Sequence, residues 1–279
     1  MRAAFLGPEG TYSHAALVAD PRAADWDAVP APTVFDAVMA VEEGVVDRAL
    51  VPIENSTEGA VAPTLDALAV ETADVRIVGE VVHAVRHALI GAGPIDLADV
   101  AAVLSHPQAN AQCARFVRTE MPRAEVLSVA STAEAVRLVV ESDEAAVALG
   151  PAIAAELHGG VVLREGVEDE AANETRFVWL APAGTEPMGP PAKTSVVWWG
   201  DGDESAGWLA RCLSEFADRD VNLTRIESRP RRLGLGHYMF FADLDGGAAP
   251  GDGGPVTAAI EALAGSAETV RVLGSYPAG

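Results

Sequence analysis

Arg2-Ala3-Ala4-Phe5-Leu6-Gly7-Pro8-Glu9-Gly10-Thr11-Tyr12-Ser13 decides the fold: an apolar run, a glycine-rich turn, then a row of hydroxyls. The pattern predicts a strand over residues 2–6 and a helix over residues 14–18, with Ser13 as its cap. A short strand that feeds a helix through a tight turn opens an α/β unit. The alternation continues through the first 180 residues. Strands are expected at 48–52, 75–82, 87–91, 100–104, 125–129 and 145–149, and helices at 64–70, 108–119 and 132–140. Pro63 suits a first helical turn. Ser131, with Glu134 three residues on, forms a capping box for the last of these helices.

The chain has 279 residues, a length that suits about two domains. A net charge of −22 argues against a nucleic-acid or anionic-membrane partner. At this size a core forms without disulfides or structural metals. Cys113 and Cys212 are too far apart for a CxxC knuckle, so the expected compartment is reducing and cytoplasmic. The first apolar run breaks at Gly7-Pro8 before a signal-peptide core can form. No window reaches the roughly 18 uninterrupted apolar residues of a membrane-spanning helix. Lys193 is the only lysine, and no GxxxxGK[ST] stretch surrounds it, which excludes pyridoxal-phosphate and nucleoside-triphosphate chemistry. The six histidines form no HxH or HExxH, and neither GxSxG nor GxGxxG occurs, so no metal and no cofactor are expected.

Residues 181–193 are rich in proline and glycine and lack periodicity, as a linker does. Beyond them the order changes. Strand at 194–199, helix at 209–217, strands at 222–228 and 237–244, helix at 256–264 and strand at 269–273 give βαββαβ, the ferredoxin-like order. Residues 246–254 read as a glycine-rich loop without evident chemistry.

Four polar clusters fall at strand ends or helix starts, where open α/β sheets bind ligands. Gly7 to Ser13 offers close backbone approach and a helix N-terminus to an anion; an ordinary capped turn is the plain alternative. Glu54-Asn55-Ser56-Thr57-Glu58 follows a strand with a dense array of donors and acceptors, or merely satisfies a turn. Ser105-His106-Pro107-Gln108 precedes Gln112; on a helix Gln108 and Gln112 share one face, while Ser105 serves equally as an N-cap. In Asn173-Glu174-Thr175-Arg176-Phe177, Arg176 is a cation able to pair with a carboxylate and Thr175 a neighbouring hydroxyl, or both are parts of a loop entering a strand. Together the clusters imply a hydroxyl- and amide-rich pocket for a small anion.

Taken in order, Gly7-Pro8-Glu9-Gly10-Thr11-Tyr12-Ser13-His14, Pro52-Ile53-Glu54-Asn55-Ser56, Ser105-His106-Pro107-Gln108 and Thr175-Arg176-Phe177 resemble the motifs of the prephenate dehydratase family. Asn222-Leu223-Thr224-Arg225-Ile226-Glu227-Ser228-Arg229-Pro230 resembles the ESRP segment of the ACT regulatory domain attached to those enzymes. The likeness spans essentially the whole chain and is to the monofunctional form. It implies a two-lobed α/β catalytic domain over 1–182, like type II periplasmic binding proteins, with lobe 1 at 1–77 and 160–182 and lobe 2 at 78–159. A linker over 183–193 and a βαββαβ ACT domain over 194–279 would follow. The implied reaction converts prephenate to phenylpyruvate, releasing carbon dioxide and water, in phenylalanine biosynthesis.

The resemblance makes Thr175, Arg176 and Phe177 the catalytic segment, with Thr175 the donor to the departing hydroxyl. Thr11, Asn55, Ser56, Ser105 and Gln112 would bind substrate. A threonine hydroxyl is a weak acid, so strong hydrogen bonding or a relay is expected of Thr175. L-Phenylalanine would bind between two ACT domains and inhibit, with contacts from Gly207, Trp208, Leu209, Asn222, Leu223, Glu227, Ser228, Arg229 and Pro230, in a homodimer or homotetramer. Where many members carry Pro-Gly-Ala-Leu this chain has Ala206-Gly207-Trp208-Leu209, and Trp208 either fills part of the effector pocket or lies on the surface. Two other enzymatic readings, an arogenate dehydratase and a non-aromatising prephenate decarboxylase, stand beside a non-catalytic amino-acid sensor. Retained Thr175 counts against the decarboxylase.

Overall fold

The computed structural model describes residues 1–142, 144–200, 205–249, 251 and 253–279. The protein is mixed α/β with three sheets. From the N-terminus run β1 (Arg2–Leu6), α1 (Tyr12–Ala19), β2 (Asp27–Ala31), α2 (Val34–Glu42), β3 (Arg48–Asn55) and β4 (Gly59–Ala60). Next come α3 (Ala62–Asp66), β5 (Val75–Ala84), β6 (Ala88–Gly91), β7 (Ala102–Ser105), α4 (Pro107–Gln112) and α5 (Ala114–Glu120). They are followed by β8 (Glu125–Ser128), α6 (Thr132–Val140), β9 (Ala146–Gly150), α7 (Ala152–His158), β10 (Val161–Glu165) and β11 (Glu174–Pro182). The last part holds β12 (Lys193–Trp199), α8 (Trp208–Ala217), β13 (Leu223–Pro230), β14 (Tyr238–Asp245), α9 (Pro255–Ala264) and β15 (Thr269–Tyr276). The expected glycine-rich loop contains Pro250 and Asp252, which lie outside the described residues. No helix among the described residues is long and apolar enough to cross a membrane.

Two compact units emerge. The first comprises Met1–Ala37, Glu54–Gly59 and Val82–Phe177. In it β1 pairs with β2 in parallel, and a five-stranded sheet runs β10-β6-β9-β7-β8. The central strand β9, Ala-Val-Ala-Leu-Gly, is buried throughout, which explains its unbroken apolar run. Helix α6 covers one side with Ala135, Val136 and Val139, while Val117 and Met121 cover the other. The Ser131 hydroxyl caps α6 by accepting from the Glu134 N–H at 3.0 Å. The Glu134 carboxylate turns to Arg137 instead of closing the box.

In the first unit two helices depart from expectation. Thr11, not Ser13, caps α1: its extended backbone lets Oγ1 accept from the His14 N–H, whereas Ser13 is buried inside the first turn. The helix expected over 108–119 is two helices broken at Cys113. The second begins afresh because the Asp169 carboxylate accepts from the backbone N–H groups of Arg115 and Phe116, at 2.9 and 3.2 Å.

The second unit comprises Val38–Ile53, Ala60–Val81 and Val178–Gly279. Within it β11 lies between β3 and β5. The helix expected at 64–70 is α3 followed by a π-turn over Ala67–Glu71. From β12 onward the chain forms the expected βαββαβ, an antiparallel sheet in the order β13-β14-β12-β15. Helices α8 and α9 cover one face, burying Trp198, Trp208, Phe216, Leu244 and Leu263. Opposite, the Ser195 hydroxyl donates to Asp243 at 2.6 Å, and Arg225 donates to the same carboxylate at 2.9 Å. Arg229 and Arg232 bond Asp66, and Arg271 donates to the Ala69 and Thr72 carbonyls of the π-turn. Gly274 passes so close to Ile77 that a Cβ there would collide with its carbonyl. The strand can sit there only as glycine.

Candidate active site

All eight catalytic and substrate-binding residues expected from the sequence lie in the first unit. Thr175 stands near the start of β11, 9% exposed, and its Oγ1 accepts from Asn55 Nδ2 at 2.9 Å. The same Nδ2 lies 2.8 Å from Asn173 Oδ1 and 3.2 Å from the Glu174 carbonyl. Asn55 Oδ1 accepts from the Thr57 N–H, the Thr57 hydroxyl and the Glu58 N–H, at 3.0, 2.6 and 3.0 Å. An amide nitrogen only donates. Thr175 is therefore an acceptor toward Asn55, and its own proton points elsewhere.

The network continues. Thr57 Oγ1 accepts from Gln112 Nε2 at 3.4 Å, Gln112 Oε1 is 2.9 Å from His87 Nε2, and His87 Nδ1 is 2.6 Å from the Tyr12 hydroxyl. One hydrogen-bonded chain thus joins Thr175, Asn55, Thr57, Gln112, His87 and Tyr12, linking the four clusters that lie far apart in sequence. Thr57 is exposed and Gln112 half-buried, so the middle of the chain meets solvent. Burial lowers the His87 imidazole pKa and raises the Tyr12 phenol well above its usual value, so both are neutral near pH 7. Glu168 accepts from the His87 N–H and pairs with Arg86. Burial raises the Glu168 carboxyl, but these donors outweigh it and hold the pKa below the usual range.

Other expected residues do different work. The Thr11 hydroxyl lies 3.0 Å from each of the Leu6 and Pro8 carbonyls while capping α1, so its single proton is taken. Ser56 accepts from the Glu174 N–H at 2.9 Å and clips the second cluster to the fourth. Ser105 is wholly buried and donates to the Leu149 carbonyl at 2.6 Å, binding β7 to β9 rather than facing a solute. The cap of α4 is His106, whose Nδ1 accepts from the Gln108 N–H. Successive strand residues project to opposite faces. Arg176 accordingly points away from Thr175, and its Nε and a terminal nitrogen bond Glu54 at 3.1 and 3.0 Å. Phe177 is a buried packing residue. Asn55 itself has its amide committed to the protein, so it orients Thr175 instead of offering an unspent ligand group. Tyr12 and Thr57 belong to the polar clusters but carry no signal of their own, and neither does His87, a single histidine just before β6.

The residues expected to hold an effector divide. Gly207, with φ of +77°, precedes α8 and admits the left-handed turn. Trp208 is buried, donates from its indole to the Ser266 carbonyl at 2.8 Å and packs on Phe240. Gly207, Trp208 and Leu209 line a cavity of about 210 Å³ together with Tyr238 and Phe240. The remaining expected contacts do not line it. Asn222 donates to Asp245 at 2.7 Å, Leu223 packs against the helix-side core and Arg229 bonds Asp66. Alternation along β13 sets Glu227 and Arg229 opposite Ser228 and Pro230.

Fold and site together define an α/β protein whose candidate site is a network of hydroxyls and amides, the class of protein that takes a small polar ligand. The family model Prephenate dehydratase matches residues 3–185. The prephenate dehydratase of Mycobacteroides abscessus is 38% identical over 284 residues, spanning all of this chain and 90% of that one. Among solved structures, prephenate dehydratase from Arthrobacter aurescens in complex with L-Phe has a TM-score of 0.89 at 36% identity, covering 99% of this chain and 89% of the other. A quorum quenching acylase has a TM-score of 0.86 at 33% identity, covering 100% and 98%. The chain belongs to the prephenate dehydratase family. It is a lyase that converts prephenate to phenylpyruvate with loss of carbon dioxide and water.

Proposed function

We propose that Thr175 donates to the departing ring hydroxyl of prephenate while the Gln112 amide N–H that is not bonded to Thr57 holds a carboxylate. Decarboxylation pushes the electron pair of the ring–carboxylate bond into the ring, and the carbon–oxygen bond breaks as the ring becomes aromatic. Hydroxide leaves poorly; Thr175 hydrogen-bonds the departing oxygen, and the proton that completes water is supplied by solvent, directly or relayed through the threonine hydroxyl, which therefore ends protonated, a contribution of about 10²- to 10⁴-fold. The observation that carries this reading is the bond from Asn55 to Thr175, which leaves the threonine proton for a ligand and makes the hydroxyl a better donor. Pairing of Glu54 with Arg176 and Glu168 with Arg86 offsets nearby acidic charge. The wider −22 charge is screened beyond about 8 Å in physiological salt.

The regulatory part follows from the same membership. We infer a two-lobed catalytic domain over 1–182 with lobes at 1–77 plus 160–182 and at 78–159, a linker over 183–193, and an ACT domain over 194–279 that binds L-phenylalanine. Support comes from the end of the family match at 185, the βαββαβ order, and the L-Phe complex of the Arthrobacter relative. The 210 Å³ cavity beside Trp208 is smaller than the roughly 300–1,000 Å³ sites of drug-sized ligands and suits one amino acid. The protein would act in the cytoplasm as a homodimer or homotetramer through its ACT sheets. The acylase neighbour raises a second activity; Thr175 is held by an amide rather than a base, which argues against a hydrolytic nucleophile.

The test is a prephenate assay on purified protein, reading phenylpyruvate by its absorbance in alkali. Thr175→Ala is expected to lower kcat about 10²- to 10⁴-fold with KM little changed, and Thr175→Ser to retain more turnover. Unchanged kcat removes Thr175 from the role. Turnover of arogenate alone moves the assignment to that substrate. L-Phenylalanine titrated into the same assay is expected to inhibit, and no response refutes the effector reading.

A further inference from the structure

We propose that His87 is a positioning residue that locks the Gln112 amide in the orientation that presents its second N–H, the one not bonded to Thr57, to the substrate. The inference rests on the reading that Gln112 meets a prephenate carboxylate.

The donor and acceptor arithmetic is closed. Gln112 Oε1 can only accept, so His87 Nε2, 2.9 Å away, must carry a proton. His87 is 2% exposed, and burial favours its neutral ring, which has one N–H. Nδ1 is then an acceptor and needs a donor, which the Tyr12 hydroxyl supplies at 2.6 Å. The Arg86 carbonyl, 3.1 Å from the same hydroxyl, is the more distant acceptor for its single proton. Glu168 pins the His87 backbone N–H at 2.9 Å, so the ring is anchored at its base as well as through both nitrogens.

A flipped Gln112 amide would set NH₂ against the Nε2–H of His87, donor facing donor. It would also turn Oε1 toward the substrate, acceptor facing carboxylate. Thr57 enforces the same choice, because its own proton goes to Asn55 Oδ1 at 2.6 Å and its oxygen accepts from Gln112 Nε2. Thr57 sets the direction of the amide, the neutral His87 ring anchors the amide oxygen through Nε2–H with Tyr12 on Nδ1, and the outward N–H selects an anion. This gives the first cluster a task that its own motif does not state.

The experiment measures kcat, KM and thermal melting for Gln112→Ala, His87→Leu, His87→Gln and the double variant His87→Leu/Gln112→Ala of the full chain. His87→Leu is expected to raise KM roughly 5- to 50-fold with a smaller effect on kcat, the scale of one lost buried hydrogen bond. His87→Gln restores most of the affinity, since its amide N–H replaces Nε2–H. In the Gln112→Ala background the His87→Leu change adds less than about twofold, because the two act through one contact. Additive effects, or a folded His87→Leu with wild-type KM, overturn the proposal. Should His87→Leu fail to fold, Tyr12→Phe carries the test: its KM rise must vanish in the Gln112→Ala background, and persistence there overturns the proposal. A wild-type KM for Gln112→Ala alone marks a different failure, that of Gln112 as substrate ligand.

Discussion

The amide of Asn55 sets the direction of the Thr175 hydroxyl, and an aspartate there would reverse it. Asn55→Asp replaces a donor with an acceptor, so the threonine proton turns inward to the new carboxylate. Turnover of the folded protein is expected to fall at least about 10²-fold, measured as kcat beside a melting temperature that also drops, because the new carboxylate faces the Asn173 and Glu174 oxygens. A kcat within a few-fold of wild type would detach the Asn55 bond from catalysis. That Thr175, Asn55 and Gln112 belong to polar clusters is legible because polar side chains gather directly after apolar runs; that one hydrogen-bonded network joins them is not. The bond that occupies the Ser105 hydroxyl has no local signal, because its acceptor, the Leu149 carbonyl, is 44 residues away. Arg176 and Phe177 share a motif with Thr175, yet strand alternation turns one away and the core swallows the other. Adjacency in a motif does not convey orientation.

At the level of elements, local signals were reliable wherever the stabilising partner lies nearby in the chain. Helix α6 runs over the predicted residues because its cap, its first-turn acid and its apolar stripe agree. Ser131→Ala should cost about 1 kcal/mol, read as a melting temperature lower by about 2–4 °C. The break at Cys113 was invisible because Asp169, which starts α5, sits more than fifty residues downstream. Asp169→Ala is expected to raise hydrogen exchange at Arg115 and Phe116 before the rest of α5; unchanged exchange there would mean the helix starts without its distant cap. The strand β2 escaped notice because Pro30 and a charged first residue mask a short parallel partner of β1. The βαββαβ order was readable because each of its strands is long and alternates with amphipathic helices.

For the whole molecule the informative contacts join the βαββαβ sheet to the 62–80 segment inside the second unit. Burial pushes the Asp66 carboxyl upward, but bonds and charges from Arg229 and Arg232 outweigh it and leave the pKa below the usual 3.8. A depressed carboxylate stabilises the fold fully above that ordinary value and loses the contribution as pH falls through the native one. Asp66→Asn should therefore lower the melting temperature at pH 7 and converge with wild type in acid; parallel curves at all pH would refute the linkage. No sequence pattern foretold this contact, since Asp66 and Arg229 lie 163 positions apart. Lys193 binds Glu80 at 2.6 Å with its side chain only 16% exposed, and the Gly279 N–H shares that carboxylate. Because no other side chain bears a primary amine, a reagent that acylates amines finds one side-chain target, shielded while this clasp is shut. Its rate of modification, followed by peptide mass, becomes a built-in clock for how often the strand entering the C-terminal sheet lets go of β5.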